Sequence, residues 1–102
     1  MITDLTKKLD KLFHDRIRLG AMSMLAIARD GISFSELVHE LDVTRGNLSA
    51  HMKALESAGL VEIKKEFVDN KPRTTYYITD DGSKAFNDYL DLLERIVKHV
   101  KG

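Results

Sequence analysis

Thr44 to Val61 reads TRGNLSAHMKALESAGLV and holds a cap, an amphipathic run and a stop signal in that order. The Thr44 hydroxyl suits a helix N-cap, because it can accept a bond from one of the free amides of the first turn. Leu48, Met52 and Leu55 recur at helical spacing as one apolar stripe, and Gly59 stands where a left-handed residue closes a helix. At about 100° per residue, Gly46, Ala50, Lys53 and Ser57 fall on the opposite side, with Asn47 and Ser49 on its flanks. Gly46 weakens the helix and Ala50 makes no hydrogen bond, but both allow a backbone to come close to another surface. The pattern predicts a helix that buries one side and leaves a slim polar side free to enter a groove.

The remaining segments assemble around this helix. Ile2, Leu5, Leu9, Leu12 and Phe13 keep helical spacing and predict a first amphipathic helix over about residues 2–13. Asp15 can cap a second helix that runs to about Arg29 and is closed by Asp30-Gly31, after which Ile32-Ser33-Phe34 is briefly extended. Ser35 starts a third helix, SELVHEL, and Asp42-Val43 is the only join before the Thr44 cap, so two short helices meet as a helix-turn-helix. Beyond Gly59 the period changes to two. Val61, Ile63 and Phe67 share one strand face, Asp69-Asn70-Lys71-Pro72 makes the turn, and Thr75, Tyr77 and Thr79 alternate with Tyr76 and Ile78 on the return. Thr79, followed by Asp80 and Asp81, caps a last helix over about residues 80–101. The expected fold is mainly α with a small β wing, an α+β winged helix-turn-helix ordered helix, helix, strand, helix, helix, strand, strand, helix. It forms one domain over residues 1–102.

With 102 residues and 43% hydrophobic content the chain can bury one core, but it is too short for two domains that frame a cleft. It shows no Gly-rich phosphate loop, nucleophile–base spacing or metal motif, so neither an enzyme nor a bound cofactor is expected. Cysteine is absent, which removes disulfides and thiolate ligands, and His14, His39, His51 and His99 include no pair at close ligand spacing on one helix face. No apolar run is long enough for a secretion signal or a membrane span, and a cytoplasmic protein without a membrane partner is expected. Net charge is zero, which argues against binding by bulk charge attraction, and only residues 1–18 and 44–75 carry a positive surplus.

In this order of elements, the motifs NLSAHMKALESAGLVE and YYITDDGSKAF resemble those of small winged-helix transcriptional regulators of the MarR and ArsR type, notably the compact single-domain bacterial and archaeal ones. The likeness covers roughly residues 14–90 and is most specific over 44–82. It implies that the helix at about 44–58 enters the major groove of double-stranded DNA while the wing at about 67–75 reaches the minor groove or the phosphates. The DNA-facing residues it implies are Thr44, Arg45, Gly46, Asn47, Ser49, Ala50 and Lys53 on the helix, with Lys71 and Arg73 on the wing. His51 falls on the histidine of the ArsR-type S-x-H-L pattern, with Met52 in the leucine place.

Chemistry gives these residues different tasks. Arg45 and Asn47 can form bidentate bonds with guanine and adenine edges, each worth about 1–3 kcal/mol of discrimination. Lys53, Lys71 and Arg73, with Thr44 and Ser49, suit phosphates and would make binding salt-sensitive. Each has a plainer alternative. Arg45 can pair with Asp42, Lys53 can be a solvated helix residue, and Lys71 and Arg73 can merely keep the turn soluble beside Asp69. His51 lies beside the apolar stripe and suits hydrogen-bonded packing better than base reading, and Lys64 and Lys65 point to opposite strand faces.

Phe86, Leu90, Leu93, Val97 and Val100 follow the 4-3-4-3 spacing of a coiled seam, which Tyr89, Leu92 and Ile96 widen. Leu5, Leu9 and Leu12 of the first helix, with Phe86, Tyr89, Leu90, Leu93, Ile96, Val97 and Val100 of the last, are therefore read as a dimer surface. The alternative is that the last helix packs only on the first helix and the core. Two paired chains would set their reading helices about 34 Å apart on successive major grooves, which implies a palindromic operator. The expected function is a homodimeric, sequence-specific transcriptional regulator, and a repressor because bound dimers occlude promoters. The competing class is a winged-helix protein-interaction module of transcription or chromosome machinery. The MarR likeness is compatible with a small-molecule effector, though no residue pattern supports one.

Overall fold

Four helices of the computed structural model start on a side chain that accepts from their own first turn; the structure describes residues 2–7 and 9–102. After α1 (Ile2–Lys7), Asp15 accepts from the Ile17 and Arg18 amides to open α2 (Arg16–Ile27). Ser33 closes β1 (Ile32–Ser33) and accepts from Glu36 to open α3 (Phe34–Leu41). Thr44 accepts from Asn47 to open α4 (Arg45–Ser57), and Thr79 accepts from Gly82 to open α5 (Asp80–Lys101). Between the last two lie β2 (Val61–Val68) and β3 (Lys71–Ile78), so the order of elements is the expected one. The protein is mostly helical with a three-stranded antiparallel sheet ordered β1-β3-β2.

Three boundaries differ from the sequence pattern. The cap of α3 is Ser33 rather than Ser35, because pairing of Ile32 and Ser33 with Tyr76 and Thr75 fixes the extended backbone there and makes Phe34 the first helical residue. The expected helix over 2–13 is helical only from Ile2 to Lys7; Lys8 lies outside the described residues. Residues 11–13 form a turn in which the Asp10 carboxylate accepts from the Leu12 amide at 2.8 Å. This turn sends Phe13 into the core, fully buried, with its ring 5.4 Å from that of Phe86 and 5.5 Å from that of Tyr89. The wing turn is also tighter than four residues. Asp69 and Asn70 alone make it, both left-handed at φ 53° and 62°, as a two-residue hairpin between Val68 and Lys71 requires. Pro72 is tolerated in β3 opposite Phe67, since its nitrogen turns to the strand edge, which β1 covers only at Thr75 and Tyr76.

The apolar stripe of α4 is what seats it. Leu48, Met52 and Leu55 are fully buried among Met22 and Leu25 of α2, Leu37 of α3 and Val61 of β2. Gly59 at φ 77° ends the helix, with its amide on the Glu56 carbonyl and the Leu60 amide on the Leu55 carbonyl, a Schellman closure. The start of α5 is fastened to this closure: Thr79 donates from its hydroxyl to the Gly59 carbonyl at 2.7 Å and from its amide to the Leu60 carbonyl at 3.1 Å. Gly82 faces the same carbonyl so closely that a Cβ would collide with it.

Within one chain α1 packs on α5, and this changes the reading of the terminal stripe. Leu5, Phe86 and Tyr89 are already buried intramolecularly, so they are not free surface. Leu9, Leu12, Leu90, Leu93 and Ile96 are half-buried, and Val97 and Val100 are exposed.

Candidate nucleic-acid interface

Because α4 buries its stripe, its other side is open. Thr44, Arg45, Gly46, Asn47, Ser49, Ala50 and Lys53 are all exposed. A Cβ placed on Gly46 would meet nothing within 4 Å, so no internal neighbour calls for glycine at that point. The Arg45 guanidinium does not pair with Asp42. Its carbon stands 4.8 Å from the centre of the Phe34 ring, a stacking contact that orients the fork while leaving its N–H groups available.

The wing divides the remaining cations between two grooves. One face of the hairpin carries Ile63 and Lys65 opposite Tyr76 and Thr74, and with Ser49, Lys53 and Glu56 of α4 it lines a groove of about 280 Å³. A second groove, about 460 Å³, lies between the start of α3 and the edge of β3 and gathers Arg45, Lys71 and Arg73 with Ser33, Ser35 and Thr74. Lys71 and Arg73 thus join Arg45, whereas Lys53 faces Lys65, which of the opposed pair Lys64 and Lys65 is the one on the α4 side. Its parity with Val61 and Ile63 decides between the two. Among the described residues, Arg45, Lys53, Lys65, Lys71 and Arg73 have no carboxylate at ion-pair distance, in contrast to Lys64, which stands 3.8 Å from Glu66. These five cations line the two grooves between the wing and the helices.

His51 braces the helix from behind. Its Nδ1 accepts from the Arg18 guanidinium at 2.7 Å, and Arg18 Nε donates to the Leu12 carbonyl at 2.6 Å. Since guanidinium only donates, the neutral ring carries its proton on Nε2. The Asp15 carboxylate lies 3.8 Å from the same Nδ1. The Arg18 amide bond above all, with the Arg18 charge and the Ile17 amide, holds the Asp15 carboxyl below its ordinary value against the opposing effect of burial. Burial, helped by Glu56, raises the Tyr76 hydroxyl. The His14 Nδ1 to Tyr89 hydroxyl bond, 2.9 Å, ties the turn before α2 to α5. Among the described residues no group of three or more His, Asp or Glu could hold a metal, and no helix is long and apolar enough to cross a membrane.

A helix-turn-helix whose second helix is anchored by one stripe and flanked by a cationic hairpin defines a winged helix of the DNA-binding kind. The chain belongs to the winged helix DNA-binding domain family, whose model matches residues 17–97. It is 31% identical over 91 residues to an uncharacterized protein of Methanocaldococcus jannaschii, covering 89% of this chain and 98% of that one. Among solved structures it is similar to a transcriptional regulator homologue from Pyrococcus horikoshii OT3, with a TM-score of 0.85, 32% identity and coverage of 97% of this chain and 95% of that one. A DNA complex of MepR from S. aureus shares the fold at a TM-score of 0.76 and 16% identity, over 94% of this chain and 77% of that one. Proteins described as MarR or MarR-family regulators recur among structures of this fold. The family is one of transcription regulators and not of enzymes.

Proposed function

We propose that this protein is a homodimeric, sequence-specific binder of double-stranded DNA that represses transcription from the cytoplasm by occupying a palindromic operator. Helix α4 lies in the major groove with Arg45 and Asn47 on base edges and Gly46 and Ala50 in close approach, while Thr44, Ser49, Lys53, Lys71 and Arg73 hold phosphates. The observation that carries this reading is the open side of α4: exposed small residues, Gly46 with no internal neighbour, bordered by cations that no carboxylate of the described residues meets at ion-pair distance. That MepR, on the same fold, is known as a DNA complex supports DNA as the partner.

A salt series on mixed-sequence duplex is the test. Affinity should fall steeply with salt, and Lys53→Ala or Arg73→Ala should each flatten the logarithmic slope by about one unit. Selection from a random DNA pool should return an inverted repeat. A chain that binds no duplex even at low salt would be a protein-interaction module instead.

A further inference from the structure

The tip of the wing is apolar where a solvated turn would be polar. Phe67 is 77% exposed and Val68 is 38% exposed. Across the hairpin Phe67 pairs with Pro72, one rung from the Asp69-Asn70 turn, so two apolar rings stand side by side beyond the end of the core. The core on this strand face stops at Ile63 and Tyr76, and Lys65 and Thr74 separate it from the tip. Phe67 therefore gains nothing from burial within the chain, and its exposure is a liability on a hairpin end unless a partner covers it.

Its position indicates the partner. Phe67 has the parity of Ile63 and Lys65, which line the groove facing Ser49 and Lys53 of α4, so it projects on the side where α4 is open. Lys65 stands on its own face, and Lys71 and Arg73 stand on the opposite face of the adjoining rungs, across from Val68 and Glu66. An apolar tip with cations behind it on both faces of the hairpin fits a surface that is anionic at its rim and apolar in its depth. Duplex DNA has this character, with phosphates along the edges of the minor groove and sugars and stacked bases inside. We infer that Phe67, backed by Pro72, is a wedge that enters the minor groove and unstacks a base step, bending the duplex, while Lys71 and Arg73 take the flanking phosphates. The inference rests on the DNA-binding reading above and adds a deformation of the DNA to it.

The test compares wild type with Phe67→Ala and Phe67→Tyr on a selected duplex. End-to-end energy transfer reports bending, and 2-aminopurine placed along the site reports unstacking. Wild type should bend the duplex by at least about 20° and brighten the probe at one step. Phe67→Ala should bind about tenfold more weakly, lose both signals and keep the salt slope, because it removes no phosphate contact. Phe67→Tyr should keep the bend. Wild type that binds a straight duplex, or Phe67→Ala that binds and bends as wild type does, overturns the wedge and leaves the DNA-binding reading intact. Failure of wild type to bind any duplex removes both. If Phe67→Ala changes only self-association, the tip contacts protein and the wedge is likewise overturned.

Discussion

Gly46 separates what stabilises the chain from what its open surface is for. It occupies the second position of α4 with ordinary helical backbone, since it is absent from the residues of positive φ, so the freedom peculiar to glycine is unused. A Cβ there would meet empty space. In the isolated chain the glycine is only a handicap, and Gly46→Ala should stabilise the fold by roughly 0.5–1 kcal/mol. If α4 comes as close to bases as proposed, the added methyl group fills space that the duplex needs. The expected outcome is a higher melting temperature by calorimetry together with severalfold weaker binding in a DNA titration. A variant that gains stability and binds as before would show that the helix keeps its distance from the groove floor. Arg45 belongs to the same scale: stacked on Phe34, it has lost part of its rotamer freedom before any ligand arrives, which lowers the entropy cost of a bidentate contact.

Between elements, the joint that matters is the one from α4 to α5. Thr79 bonds the Gly59 and Leu60 carbonyls just past α4, and Gly82 presses its backbone against the Leu60 carbonyl, so the two helices are fixed relative to each other. Gly82→Ala should force the strand start and α5 apart at a cost of about 1–3 kcal/mol, measurable as a lower urea midpoint, because backbone cannot yield as a flexible side chain can. An unchanged midpoint would mean that the joint is loose. The caps at Asp15, Thr44 and Thr79 were legible in the sequence because they act on amides two or three residues away. Ser33 and the early end of α1 were not. Both are decided at long range, Ser33 by pairing with Thr75 and Phe13 by packing on Phe86 and Tyr89, and apolar spacing near each site fits the wrong answer equally well. The same holds at the candidate site. Helical geometry alone identifies the open side of α4, but the grouping of Arg45 with Lys71 and Arg73, and of Lys53 with Lys65, depends on where the hairpin folds back.

At the scale of the whole molecule the question is what turns one reading helix into a specific binder. In the proposed complex one α4 spans a single half-site, and specificity at genomic scale favours a second helix held at a fixed distance. Helix α5 is suited to set that distance: its 22 residues extend about 33 Å along a molecule 55 Å in its longest dimension, and its first turn is locked to α4. Phe86, Tyr89 and Leu92 are spent on the chain's own core, so pairing must use the remainder, in which Leu90, Leu93 and Ile96 are half-buried and Val97 and Val100 are 49% and 72% exposed. Replacing both exposed valines, Val97→Asp with Val100→Asp, puts charge on the proposed seam without touching the buried side of the helix. Wild type should sediment at twice the 11.6 kDa chain mass and the double variant at a single mass, with an unchanged far-ultraviolet spectrum. Because the second half-site contact would then no longer be intramolecular, affinity for an inverted repeat should drop by about a hundredfold while affinity for an isolated half-site stays the same. A single-chain mass for wild type, or a double mass retained by the variant, would sever α5 from assembly and leave the spacing of reading helices to the DNA alone.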